Sequence, residues 1–206
     1  MLDFGSMLYR IPALLFAITV HEYAHAIAAD EEGDPTPRLM GRLTLNPFAH
    51  LDPIGALLLV VAGFGWAKPV MINERNFRNP STGIMKVSFA GPAANLFLTF
   101  AAALMWAVLG KLNVHDRGVY QFLFWIQMYN VWFAFFNLLP IPPLDGSKIL
   151  AELLPPKLAW QYMSFSSQYS MVLLVVIVFS GLSSKFINPL AQAYMLLVHN
   201  ILRIIF

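Results

Sequence analysis

The chain has 206 residues, of which 58% are hydrophobic and only 12% charged, with a net charge of +2 and a mean hydropathy of +0.63. Ordinary soluble domains carry about 25% charged residues, so the composition excludes them and predicts an all-α polytopic membrane protein. Basic residues are scattered with no aromatic-interleaved stripe, which speaks against nucleic acid; with no cysteine, any metal must be held by His, Asp, Glu or other oxygen ligands.

Taken in chain order, apolar segments fall at about 6–29, 85–110, 118–140, 168–183 and 186–205. A crossing needs roughly 20 apolar residues, so about five transmembrane helices are expected, with 168–183 marginal. The first is read as a retained helix, because Asp3 stands where a signal peptide would be basic. Segment 54–66 is shorter, in the range of a re-entrant or interfacial element. Asp52 and Pro53 suit its start as N-cap and first helical residue. The stretches 65–70 and 41–47 look extended and suggest a small β element. No composition break interrupts the chain, so a single domain over 1–206 is expected, with a core at about 6–155 and C-terminal helices at about 168–206.

If 54–66 dips in and returns, Arg38, Arg42, Lys68, Arg75, Arg78, Lys86, Lys148, Lys157 and Arg203 share one side of the membrane. Arg10, Lys111, Arg117 and Lys185 take the other. The richer side is then cytoplasmic.

Within the first helix lies "FAITVHEYAHAIAA". Ionisable groups in such a segment are costly and usually mark function. His21 and His25 stand four apart, so a helix puts both imidazoles on one face, close enough for one zinc ion. Glu22 lies about 100° around, where it can take a proton from water at the metal. The bland alternative is a wetted polar cluster at a helix end.

A catalytic zinc needs a third protein ligand and an open position. The candidates are His50, Asp52, His115, Asp145, Glu152 and His199. In "NLLPIPPLDGSKIL", Pro140, Pro142 and Pro143 break a helix just before Asp145, and broken backbone at membrane depth is tolerated where it lines a wet cavity. The equal alternative is an ordinary cytoplasmic turn with Asp145 capping a short helix from Ser147 to Leu154. Topology favours the ligand: with 54–66 re-entrant, Asp145 arrives on the same side as His25.

"HEYAH" followed by "NLLPIPPLDG" resembles the site-2 protease family of intramembrane zinc metalloproteases. Asn137, Pro140, Pro142, Asp145 and Gly146 match its N-x-x-P-x-P-x-x-D-G motif; "GPAAN" and "NPFAHLDPIG" are similar to stretches of its compact bacterial members. The resemblance covers about residues 10–155. It implies one Zn2+ on His21, His25 and Asp145, Glu22 as general base, and a site below the cytoplasmic surface of a bacterial cell (inner) membrane. It implies transmembrane protein substrates cut within or near the bilayer. Asn137 and Asn95 match the family's asparagines, and either amide could donate to an oxyanion; for Asn95 an interhelical hydrogen bond is the alternative. No PDZ-like soluble domain and no helix ahead of the metal helix are expected.

Substrate helices hide their backbone and must unwind before attack. Gly65, Trp66, Ala67, Lys68, Pro69 and Val70 could hold the unwound segment by edge pairing, although Trp66 and Lys68 also suit interfacial anchoring. Two other classes stay open: a metal-ion or proton transporter, for which a broken helix with intramembrane His and Asp would also serve, and a silent scaffold that binds membrane segments.

Overall fold

The computed structural model describes residues 4–55 and 68–206. Most of the expected re-entrant segment 54–66, and Gly65, Trp66 and Ala67 of the expected substrate edge, lie outside them. Among the described residues the chain is helical, with a lone bridge residue at Leu51 and no strand.

Helix α1 (Phe4–Glu31) carries Ala13, Ala17 and Ala29, all fully buried, and His21 and His25, at 3% and 6% exposure. These five follow one another at four-residue steps. Small side chains on such a stripe let helices approach closely where water supplies no driving force, and the histidines continue the stripe into the interior. After the short α2 (Thr36–Leu39) come α3 (Pro80–Lys111) and α4 (Arg117–Asn137). Asn79 and Asp116 cap the two long helices through bonds to the N–H groups of Thr82 and Val119, satisfying donors that a helix start leaves free.

α3 runs antiparallel to α1. Ala29 packs with Val87 at one end of the pair, and Ala13 packs with Ala102 and Ile126 at the other. α4 returns alongside both. The chain then folds back through 138–144 into α5 (Asp145–Leu153), followed by α6 (Pro156–Phe179) and α7 (Leu182–Ile205). Gly146 permits this return: a Cβ there would lie 2.7 Å from the Leu139 carbonyl oxygen. Tyr162 of α6 ties the break down by donating to the Pro140 carbonyl at 2.9 Å.

α7 runs parallel to α3. Trp132 Nε1 donates to Asn188, Tyr194 to the Leu96 carbonyl, Val198 and Leu202 pack on Ala103, and Lys111 Nζ sits 5.9 Å above the Phe206 ring. Both ends of α6 therefore lie at the same end of the bundle, and this helix, which carries most of the fifth crossing expected at 168–183, is bent by 47° between Phe165 and Gln168. Arg203 and Lys185 exchange sides accordingly, leaving nine basic residues against four. Among the described residues, two helices can cross a membrane by length and composition, Gly5–Glu31 and Pro80–Lys111, or three with the bent pair counted as one. The protein is an integral membrane protein.

Asp34 organises the loops at the α1 C-terminal end. It is fully buried and accepts from Thr36 N and Oγ1, Asn73 N and Asn76 Nδ2. Burial pushes its carboxyl upward, but these hydrogen bonds prevail and hold it below the ordinary carboxylate range. Two more carboxylates of the acidic run are paired at the surface, Asp30 with Arg38 and Glu32 with Lys86.

Candidate metal centre

The α1 stripe delivers His21 and His25 to a point where α3 has no side chain. Gly91 lies against both rings: a Cβ there would sit 2.5 Å from His25 Nε2 and 2.6 Å from His21 Cε1. The fold-back after α4 brings Asp145 to the same point, with Oδ2 3.2 Å from Nε2 of each histidine. The two Nε2 atoms are 3.0 Å apart.

Hydrogen bonding decides which way these rings present their lone pairs. His25 Nδ1 lies 2.7 Å from the Val87 carbonyl, an acceptor only, so it carries the proton. His21 Nδ1 lies 2.7 Å from Asn95 Oδ1. The Asn95 amide is oriented by its Nδ2, which donates to the Ala17 carbonyl at 3.0 Å and to Asn130 Oδ1 at 2.7 Å. Asn130 is itself oriented by donating to the Ile126 carbonyl. Both neutral rings thus turn an Nε2 lone pair inward. Asp145 Oδ2 is buried and receives no hydrogen bond.

Three electron-pair donors facing one another at 3.0–3.2 Å repel unless a cation lies among them. Tetrahedral zinc with bonds of about 2.0–2.2 Å separates its ligand atoms by about 3.3–3.6 Å, close to what is seen. The nitrogen and oxygen donor set suits zinc. His21, His25 and Asp145 are also the group of potential metal ligands that converges among the described residues.

Glu22 borders a cavity of about 420 Å³ beside the three donors, with Val70, Ser88, Asn137, Leu174 and Val178 also on its walls. Glu22 Oε2 accepts from the Val70 N–H at 2.9 Å, so the segment after residue 67 reaches the site directly. Asp34 and Asn73 anchor that segment three residues on.

The expected oxyanion donors part company here. Asn137 faces the cavity and uses one N–H on the Phe133 carbonyl, so its other N–H is free among the described residues. Asn95 is fully buried with both N–H groups engaged. Asn95 therefore has no free donor for an oxyanion in this structure, and its Oδ1 meets the His21 ring. The substrate edge is narrowed too: Lys68 N donates to the His50 carbonyl, its own carbonyl accepts from Arg42, and Pro69 has no N–H. Asp52 caps Ile54 and Gly55, and His50 bonds the Thr44 carbonyl, so both serve the loop. Asn130 was not anticipated; its signal was available, since it stands seven residues before Asn137 on the same helix.

Residues 109–182 match the model of peptidase family M50. The chain is 40% identical over 193 residues to the Bacillus subtilis protein named "Putative zinc metalloprotease YwhC", covering 91% of this chain and 87% of that one. It is 27% identical over 178 residues to "Putative zinc metalloprotease Rip2" of Mycolicibacterium smegmatis, covering 84% and 67%. It is 31% identical over 157 residues to "Stage IV sporulation protein FB" of Bacillus subtilis, covering 72% and 51%. No solved structure matches it.

Proposed function

The chain belongs to peptidase family M50 and is a zinc metalloprotease; from that premise we propose that it hydrolyses peptide bonds of transmembrane proteins within or near the bilayer. One observation carries the reading: two tautomer-fixed imidazoles and an unpartnered carboxylate converge on one point beside Glu22.

His21, His25 and Asp145 hold the ion. Zinc in such a site supplies Lewis-acid chemistry, acidifying water and polarising a carbonyl. Glu22 takes the proton of the attacking water and returns it to the leaving amine. The Val70 N–H fixes one Glu22 oxygen, which leaves the other for that transfer. The free N–H of Asn137 donates to the oxyanion of the tetrahedral species. Asn95 and Asn130 act one step removed, holding the His21 ring. The carbonyls of Pro69 and Val70, to which no described residue donates, offer acceptors to an unwound substrate strand.

Within one domain over 1–206, α1, α3, α4 and α7 cross the membrane and α6 returns to its own side. The nine-to-four excess of basic residues supports a site that faces the cytoplasm of a bacterial cell membrane. Purified protein with zinc, offered a panel of single-span membrane peptides in detergent, tests the reading when run beside Glu22→Gln with bound metal counted. Cleavage by the wild type alone, with about one zinc on each protein, is expected. Equal cleavage by both would remove Glu22 from the chemistry. Metal uptake with cleavage by neither would favour a transporter or scaffold.

A further inference from the structure

A second cavity lies at the opposite end of the bundle, between α3, α4 and α7. Its volume is about 500 Å³, and Trp106, Ala107, Phe124, Gln127, Arg203 and Phe206 are among its walls. Those walls are mostly apolar, yet they hold two polar groups that the fold does not use. Gln127 is 8% exposed, lines the cavity, and makes no hydrogen bond among the described residues. A primary amide on so apolar a wall is unfavourable without a partner. Arg203 lies on the same cavity, exposed and without an ion pair among the described residues.

From this juxtaposition we propose that the cavity binds one anionic glycerophospholipid of the leaflet facing away from the metal centre. Size selects a lipid over a protein segment: a helix about 10–12 Å wide fills roughly 400–600 Å³ per 5.4 Å turn, so the cavity admits one turn at most, whereas a flexible acyl chain threads it. Trp106, Phe124 and Phe206 offer the chain aromatic walls. Gln127 donates to the ester and glycerol oxygens above the chain, and Arg203 takes the phosphate as a charge-assisted fork. Charge selects the headgroup. Arg203 and His199 are the ionisable residues on the walls, and no carboxylate stands among them to receive the ammonium of a zwitterionic lipid. The site is remote from Glu22 and shares no wall residue with the catalytic cavity, so it stands whatever the protease cleaves.

The test counts lipids on the full chain by native mass spectrometry after detergent washing and titration with a phosphatidylglycerol or a phosphatidylcholine of the same chains. One phosphatidylglycerol per chain is expected, bound at least tenfold more tightly than phosphatidylcholine. Arg203→Ala should weaken it at least tenfold, Arg203→Lys should recover part of the loss, and Ala107→Trp should abolish it by filling the cavity. Should the tryptophan variant fail to fold, Gln127→Leu, which keeps the volume and removes the amide, decides with an expected tenfold loss at unchanged helicity. Absence of stoichiometric lipid, equal binding of the two lipids, or retention by the folded variants would overturn the proposal.

Discussion

Gly91→Ala adds one methyl group where the structure has no room for it. The new Cβ would lie 2.5 Å from His25 Nε2 and 2.6 Å from His21 Cε1, whereas ordinary contacts begin near 3.4 Å. One or both rings must therefore retreat by about 0.8–0.9 Å, several times the roughly 0.2 Å tolerance of a metal–ligand distance. Retreat also strains the Nδ1 bonds to Asn95 and Val87 that aim the rings. Zinc affinity should fall by two orders of magnitude or more. The metal-free fold should survive, because the overpacking cost of about 1–3 kcal/mol is partly offset by the gain of about 1 kcal/mol when alanine replaces a helical glycine. Competition with a chromophoric chelator measures the first quantity and thermal unfolding of the metal-free protein the second. Zinc affinity within threefold of the wild type, at an unchanged metal-free midpoint, would refute the claim that this backbone position shapes the metal centre.

Asn137→Ala should lower kcat by about 10²–10³ while leaving one zinc per chain; a loss confined to KM would assign the amide to binding instead. Asn95→Leu should weaken zinc about 10–100-fold through the freed His21 ring, which chelator titration reads without any substrate, and affinity unchanged would return Asn95 to a packing role. Val70→Pro removes the N–H held by Glu22 and should reduce turnover at least tenfold without displacing zinc; full turnover would free Glu22 from that bond. Asp34→Asn should cost about 1–3 kcal/mol at pH 7. Because folding lowers the Asp34 pKa, its contribution is complete above the unfolded value near 4 and disappears as pH falls through the folded one. The gap between the two melting midpoints should therefore narrow as pH falls below the unfolded value near 4, and a gap that does not narrow would contradict the assignment.

How far the sequence anticipates the structure depends on where each feature's cause lies. The histidine pair is local: four-residue spacing on a helix puts two rings on one face whatever surrounds them. Asp145 needed a topological step, since its arrival beside His25 depends on how many segments cross between them. Asp34 was hidden because "DEEGD" has the composition of a solvated charge run, and only the fold shows that one of its carboxylates is covered by loop 73–76. The direction of α7 was also hidden. Exchanging Lys185 for Arg203 leaves the charge balance unchanged, so the basic-residue count is blind to whether 168–183 crosses. For Asn95 the residue type announced a polar role at the centre of the bundle, but which of its atoms were already taken could be known only from its neighbours.

The parallel course of α3 and α7 has a practical outcome for handling the protein. In the proposed arrangement of four crossings the described chain has even parity, which puts Phe4 and Phe206 across the bilayer from the catalytic loops. In sealed vesicles an epitope tag appended at either end and the hydrolytic chemistry face separate compartments. A soluble protease added on one side could then trim the tags and leave the loops around Glu22 intact, which would make the sidedness of the enzyme readable on an ordinary gel.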